Sequence, residues 1–194
     1  MSAAHGAPDA RVRVTALGAL VRISPPRAAR DGWPLAAADP DPTVRRRAAE
    51  LAPALTTVAA PLLIALVADE DQLVAEAACF AAGEIEWSDR DRREVVGALV
   101  RAAAHDDALI RESAVAALGS LGDPDGLDAI LAACSDRPTV RRRAVLALAP
   151  FDDPRVDAAI EAARRDTDWQ TRQAGEDLTA EGVGLGDLSD EDRA

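Results

Sequence analysis

The sequence predicts an all-α fold in which pairs of helices repeat along the chain. The segment PTVRRRA occurs twice, at 42–48 and at 138–144, and the two copies start 96 residues apart. A shorter pattern divides this distance: a β-branched residue, then Arg, then a small residue four positions after the first, recurs about every thirty residues. A period of this length with helical patterning is typical of helix pairs stacked side by side.

The first residue of this pattern serves as the anchor of each unit. The six anchors, spaced by 32, 30, 36, 30 and 31 residues, are Val12, Val44, Val74, Ile110, Val140 and Thr171. Two units are degenerate. In the third unit Ala75 replaces the Arg, and in the sixth unit the residue four positions after the anchor is Gly175. Apolar residues recur 4, 5, 8 and 11 positions after each anchor, which is one face of a helix. Each anchor therefore begins the second helix of a pair.

The first helix of each pair is expected in the segment before its anchor. These helices are predicted at 61–68, 91–104, 124–134 and 154–165, with a poorer one at 26–38. Prolines at 61, 124 and 154 suit the first turn of a helix. Five carboxylates lie three positions before their anchors, where they can cap free backbone N–H groups: Asp9, Asp41, Asp71, Asp107 and Asp168. Ser88 and Asp91 form a similar cap, and Gly119 and Gly122 suit a helix end.

The segment DALIRESAVAALGSLGD, residues 107–123, resembles the consensus of the short HEAT-like repeats found in phycobilin lyases and many bacterial proteins. The resemblance covers roughly residues 9–180. It implies a right-handed α-solenoid of about six HEAT-like helical hairpins, of the armadillo type. It also implies that the Arg after each anchor pairs with an acidic side chain of the neighbouring unit, forming a ladder. The repeat class is specific, but it serves many partners and does not identify one.

The expected organisation is a flexible leader at 1–8, the solenoid at 9–181 and an acidic, disordered tail at 182–194. All 22 basic residues are Arg, and 34 acids give a net charge of −12. This balance disfavours a nonspecific nucleic-acid binder, since such affinity comes from neutralising phosphates. The longest apolar run, at 58–68, is too short to span a bilayer, so we expect a cytoplasmic protein without membrane contact. Two cysteines without a CxxC motif indicate neither a disulfide framework nor a zinc site.

A partner-binding surface is predicted on the second helices, which line the concave face of a HEAT-like solenoid. Positions 2, 3 and 6 after the anchors lie away from the buried stripe, and no structural rule demands their residue types. The resulting candidates combine Arg pairs, glutamates and two large apolar side chains: Arg46, Arg47, Glu50, Glu76, Phe80, Glu112, Arg142, Arg143 and Leu146. Apolar anchors with Arg at the rim are typical of protein-binding grooves. The alternative is that the short helices rotate slightly and bury both Phe80 and Leu146.

The favoured function is a non-catalytic scaffold that binds another protein or an acidic peptide segment on this face. We expect no catalytic residue, metal or cofactor, because His5 and His105 are the only imidazoles and no base lies beside a nucleophile. Two alternatives stay open. One is an accessory lyase or chaperone for a tetrapyrrole-bearing partner, with Arg pairs holding propionates. The other is a HEAT-like DNA glycosylase with tryptophans at 33, 87 and 169 as stacking platforms, which the negative charge disfavours. A hydrolase using two carboxylates also stays open, so enzyme activity is undecided.

Overall fold

The structure is a computed structural model that describes residues 9–186, with side chains through residue 179. Its α-helices, in chain order, are α1 (Ala10–Ile23), α2 (Pro25–Arg27), α3 (Trp33–Ala37), α4 (Pro42–Leu51), α5 (Ala60–Val67), α6 (Gln72–Glu84), α7 (Asp89–Ala102), α8 (Ala108–Leu121), α9 (Leu127–Ala133), α10 (Pro138–Ala147), α11 (Pro154–Ala163) and α12 (Trp169–Gly186). The described residues contain no strand, so the all-α prediction is confirmed. The predicted leader and positions 187–194 of the predicted tail lie outside the described residues, and the last helix reaches Gly186.

The helices form two layers, as expected for a solenoid of hairpins. The second helices α1, α4, α6, α8, α10 and α12 pack against one another in sequence, and the contact is most extensive from α6 to α10. The first helices α5, α7, α9 and α11 pack on one side of this row, each against the second helix of its own pair. The residues 4, 5 and 8 positions after the anchors of the second to fifth units are buried, which confirms this part of the predicted core stripe. Position 11 is buried in the fourth unit, at Leu121, and half-buried in the other three. Among the described residues the first unit contributes only α1.

The poorer first helix predicted at 26–38 is a broken one. A π-helical turn, Ala28–Gly32, separates α2 from α3, and the backbone N–H of Trp33 donates across five residues to the carbonyl of Ala28. Pro34 follows this turn and has no N–H to donate, so a regular α-helical ladder is interrupted there. Trp33 is fully buried and its indole Nε1 donates to the Ala48 carbonyl at 2.7 Å. The buried ring and its hydrogen bond therefore hold the broken segment against α4.

The predicted helix caps are present. Each of the five carboxylates three positions before an anchor accepts a backbone N–H from the first turn of its helix. Ser88 Oγ accepts the N–H of Asp91 at the start of α7. Gly122 ends α8 in the left-handed conformation, with φ of 59°. Gly119, which the sequence also placed at a helix end, lies instead inside α8 and serves a packing role described below.

The ladder implied by the HEAT-like resemblance runs along one edge of the solenoid. Each of its four arginines donates two hydrogen bonds, between 2.6 and 2.8 Å long, to both oxygens of an aspartate in the next unit. The pairs are Arg13–Asp39, Arg45–Asp69, Arg111–Asp136 and Arg141–Asp166. Three of these arginines also donate to backbone carbonyls of the loop before their own helix. The loops that carry Asp39 and Asp136 are thus each held by an arginine of the preceding unit and by one of their own unit. The Asp166 loop is held in the same way, because Arg172 donates to the Asp166 carbonyl.

The ladder aspartates are stabilised as carboxylates by these contacts. The hydrogen bonds from Arg111 lower the pKa of Asp136 below its ordinary value of 3.8, and those from Arg141 lower that of Asp166 in the same way. A folded-state pKa below the unfolded one means that the pairs stabilise the fold above about pH 4. This contribution is lost as the pH falls through the lowered pKa.

The ladder is interrupted once, between the third and fourth units. Ala75 takes the place of the arginine, and His105 takes the place of the aspartate two residues before the N-cap of α8. His105 keeps the local role of that aspartate, because its Nδ1 accepts the Asp107 N–H at 2.9 Å. Asp69 Oδ1 accepts the equivalent N–H of Asp71 at 3.0 Å. Both partners of the cross-unit bridge are therefore missing together at this junction.

Candidate binding groove on the second helices

A groove crosses three neighbouring second helices, α6, α8 and α10, on the face away from the first helices. Its volume is about 620 Å³. The α6 side is formed by Phe80 and Glu84, and the α10 side by Arg143, Leu146 and residues at the end of that helix. The floor is formed by α8, which contributes only small side chains: Ser113, Ala116, Ala117, Gly119 and Ser120. Two of the predicted partner-binding side chains, Phe80 and Leu146, therefore face each other across a trough.

The trough exists because small residues let the three helix backbones approach closely. A Cβ atom on Gly119 would lie 2.6 Å from the Cβ of Ala147 on α10. A Cβ atom on Gly83 would lie 2.8 Å from the Cα of Ala117 on α8. Both distances are shorter than a van der Waals contact, so neither position accepts a side chain without moving a backbone. The same small residues leave the space above α8 empty.

The α6 wall carries an aromatic ring between two carboxylates. Phe80 is 60% exposed, which decides between the two alternatives left by the sequence: it is not in the core. Glu76 and Glu84 lie four residues on either side of it and so share its face of the helix. Ser113 Oγ, on α8, lies 3.4 Å from Glu76 Oε1 and donates to it. Glu84 is exposed and forms no ion pair with any described residue.

The α10 wall carries the opposite charge. Arg143 lines the groove, and its Nε lies 3.8 Å from Glu112 Oε1, too far for a hydrogen bond. That Nε is buried and has no hydrogen-bond acceptor among the described residues. Arg142 is half-buried beside it and forms no ion pair within the described part of the chain. Leu146 is also half-buried, because it packs against the small apolar cluster of the last two units.

The remaining candidates lie on α4, outside the groove. Arg46 and Arg47 both reach Glu50, at 3.0 and 2.9 Å, so the carboxylate is shared by the two cations. Because helices pack about 8 to 10 Å apart and α6 and α8 stand between α4 and α10, this cluster is about 25 to 30 Å from Arg143. The two arginine triplets of the sequence therefore form separate surfaces. Their first members, Arg45 and Arg141, belong to the ladder.

Neither of the two cysteines is activated as a nucleophile. Burial raises the pKa of the Cys79 thiol to about 12 and that of the Cys134 thiol to about 11, so neither is a thiolate at neutral pH. Within residues 9–179, no three His, Cys, Asp or Glu side chains are grouped closely enough to hold a metal ion. Trp87 is used structurally, with its Nε1 donating to the Ala82 carbonyl at 2.9 Å. No helix in the described region has the length and apolarity needed to cross a membrane.

Sequence reasoning missed the floor of the groove. No packing role was assigned to positions 7 and 9 after the anchors, although Ala117 and Ala147 share the first of these columns and Gly83 and Gly119 the second. The signal was a glycine in one unit facing an alanine in the next, repeated at two consecutive junctions. Position 3 was also assigned to the exposed surface, but Ala77 is buried there because its side chain is too short to leave the interface.

Comparison with protein families identifies the repeat. A family model for HEAT repeats matches residues 59–149, which include α5 to α10 and the whole groove. Residues 59–149 are HEAT-like repeats. A comparison with curated proteins found no match.

Solved structures with the same fold include several designed repeat proteins. An engineered protein shares 17% identity, with a TM-score of 0.63, 93% of this chain covered and 98% of the other. A designed armadillo repeat protein, solved in complex with the peptide (KR)4, shares 14% identity with a TM-score of 0.63, covering 91% of this chain and 95% of the other. Human deoxyhypusine hydroxylase shares 22% identity with a TM-score of 0.52, covering 89% of the HEAT-like chain and 69% of the hydroxylase. These similarities establish an armadillo- or HEAT-type solenoid.

Proposed function

We propose that this HEAT-like protein is a binding scaffold that holds a peptide segment of another protein in the groove across α6, α8 and α10. The observation that carries the proposal is Phe80, a large aromatic side chain that is 60% exposed at the edge of a trough of about 620 Å³. Aromatic and Arg side chains dominate the binding energy of protein interfaces, and here both types border one concave surface.

The groove is suited to a chain segment because its floor is narrow and its walls are held rigidly. The backbones of α6, α8 and α10 are fixed against one another by Gly–Ala contacts, so little conformational entropy is lost on association. Ser113 and Ser120 supply hydroxyls along the floor that can bond to a peptide backbone. The designed armadillo protein of the same fold was solved with a bound peptide, which supports this mode of use.

The wider set of predicted contact residues extends the surface beyond the groove. Arg46, Arg47 and Glu50 would meet a part of the partner that continues past α6 onto α4. Arg142 would act with Arg143 at the other end. The earlier expectation of an acidic segment is kept for the α10 end only, because the α6 wall carries carboxylates. Two of the three tryptophans of the glycosylase alternative have structural roles, because Trp33 and Trp87 donate their indole N–H groups to helix carbonyls, whereas Trp169 is 64% exposed. For the tetrapyrrole alternative, the two Arg pairs lie too far apart to share one ligand.

The test is affinity purification from a lysate of the source organism, followed by mass spectrometry, with the parent chain and Phe80→Ala compared side by side. The expected result is a polypeptide captured by the parent and lost by the variant, at an unchanged thermal midpoint, because the ring is mostly in solvent. Leu118→Ala, which empties the core, is the control for a loss caused by unfolding. Equal capture by parent and Phe80→Ala would remove the groove as the binding site. A large fall in the thermal midpoint of Phe80→Ala would place the ring in the packing.

A further inference from the structure

The two walls of the groove carry opposite charges, and neither wall is neutralised by the other. On α6, Glu84 is exposed without an ion pair among the described residues, and Glu76 shares only a 3.4 Å contact with Ser113. On α10, Arg143 is half-exposed, and its ion pair with Glu112 of α8, at 3.8 Å, lacks a hydrogen bond. Between them α8 offers only small, uncharged side chains in the groove. The groove therefore has a negative and a positive end.

The negative end has the features of a site for a cation on a side chain. The face of an aromatic ring attracts an ammonium or guanidinium group, and the Phe80 side chain is 60% exposed at the groove. Glu76 and Glu84 lie one turn below and above the ring on the same helix face. A Lys or Arg side chain lying over Phe80 would reach a carboxylate with its charged end while its aliphatic stem covers the ring.

The positive end has the features of a site for a carboxylate. The guanidinium of Arg143 borders the groove, and Arg142 adds a second positive charge beside it. An Asp or Glu side chain would accept charge-assisted hydrogen bonds from the two Nη atoms of Arg143, since the Nε is buried. Leu146, one turn further along α10, would cover the stem of that side chain.

The distance between the ends sets the spacing of the two charges. Helices α6 and α10 are separated by α8, so their axes are about 16 to 20 Å apart. An extended chain advances about 3.3 Å per residue, and alternate side chains point to the same side. Two side chains that both face the groove are therefore an even number of residues apart, and about six residues span its width.

We propose that the groove selects an extended peptide segment in which a Lys or Arg lies about six residues from an Asp or Glu, with the cation over Phe80 and the carboxylate at Arg143. This inference rests on the proposed binding function and adds the chemistry and spacing of the partner. A partner carrying only acidic residues would place a carboxylate against Glu84, and one carrying only basic residues would place a cation against Arg143. Either partner would therefore lack a favourable charge contact at one end of the groove.

The test is selection from a random twelve-residue peptide library displayed on phage, against the full chain and against the double variant Glu84→Arg/Arg143→Glu. The parent is expected to enrich peptides with the opposite charges four to six residues apart in one order along the peptide. The variant is expected to enrich the reversed order, because the ends of the groove have exchanged sign. Enrichment without a charge pair, or with the same order for both proteins, overturns the inference and leaves the scaffold proposal standing. Selection of no peptide by the parent overturns both.

A synthetic peptide from the parent selection gives the quantitative check by fluorescence anisotropy. Glu84→Gln is expected to weaken binding roughly tenfold, whereas Glu94→Gln, an exposed glutamate on α7, leaves it unchanged. Substituting the peptide's cation by norleucine is expected to weaken binding to the parent while having little further effect on the Glu84→Gln variant. If the losses of binding free energy from the norleucine substitution and from Glu84→Gln simply add, the peptide's cation and Glu84 are not in contact.

Discussion

The junction between α6 and α8 and the junction between α8 and α10 are held in different ways. The second has the cross-unit bridge, in which Arg111 donates to both oxygens of Asp136 at 2.6 and 2.7 Å. The first has Ala75 and His105 at the corresponding places and no bridge. Yet α6 and α8 are the most extensively packed pair of helices in the described structure. The bridge is therefore not what brings neighbouring second helices together.

Packing of small residues replaces the bridge at the first junction. Seven of the thirteen residues of α6 are buried, and all seven are Val, Ala or Cys. Gly83 lets the α8 backbone approach at Ala117, as Gly119 does for α10 at Ala147. The two junctions thus share their Gly–Ala contact and differ in the polar edge. We infer that backbone approach sets the distance between units, while the ladder fixes the loops that precede the second helices.

Removing the ladder where it exists should have the largest effect. Arg111→Ala deletes the bridge to Asp136 and the two bonds to the carbonyls of His105 and Asp106. The carboxylate of Asp136 is then left mostly buried without its cation, so we expect a loss of about 3 kcal/mol in the free energy of unfolding. The measurement is urea denaturation followed by circular dichroism. Arg101→Ala, at an exposed position in the last turn of α7, should change stability by less than about 0.5 kcal/mol.

A result below about 1 kcal/mol for Arg111→Ala would mean that both junctions rest on packing alone. The ladder would then be a dispensable edge. In that case Asp136→Asn should also lower the free energy of unfolding only slightly, because the Arg111 guanidinium would not need the carboxylate as its partner.

Filling the Gly–Ala contact should have the next largest effect and should act at the junction without a bridge. Gly83→Ala places a Cβ 2.8 Å from the Ala117 backbone, so one helix must move, and we expect a loss of about 1 to 2 kcal/mol. The matched control is Gly97→Ala on α7, where the nearest neighbour of the new Cβ is the end of the Arg101 side chain at 3.7 Å. There the higher helix propensity of alanine should stabilise by up to about 1 kcal/mol. Opposite signs of the two changes, measured by urea denaturation, would establish close packing as the cause.

If Gly83→Ala and Gly97→Ala changed the free energy of unfolding in the same direction, close packing at Gly83 would not be the cause. A gain for Gly83→Ala would show that α6 and α8 have room to separate without penalty. The depth of the groove would then not depend on their approach.

The repeat and its helix pairs were predictable because they depend on local patterns. The caps at Asp41 and Asp107 need only a carboxylate before a helix, and the core stripe needs only a period of 3.6 residues. The exposure of Phe80 also followed from its position in the repeat. The groove itself did not, because its floor depends on the distance between backbones in different units. The sequence predicts that Gly119 ends a helix, and its packing role becomes visible only because a Cβ atom there would lie 2.6 Å from the Cβ of Ala147.

The smallest expected effect comes from building the missing bridge with Ala75→Arg and His105→Asp. Ala75→Arg alone should destabilise, because residue 75 is buried and the new guanidinium would have no carboxylate. His105→Asp alone should be nearly neutral, since an aspartate can accept the Asp107 N–H as Asp69 accepts that of Asp71. In the double variant the two new side chains should couple by about 1 kcal/mol, measured with urea in a double-mutant cycle.

The coupling energy decides what the interruption means. Existing bridges join residues 24 to 26 positions apart, whereas positions 75 and 105 are 30 apart because the third and fourth units are separated by the long α7. Position 105 nevertheless stands two residues before its N-cap, as Asp39, Asp69 and Asp166 do. A favourable coupling would show that the loop geometry is intact and that only the two side chains were exchanged. Zero coupling would show that the longer unit carries position 105 out of reach, so that a ladder bridge cannot join α6 and α8 and their packing must hold this edge.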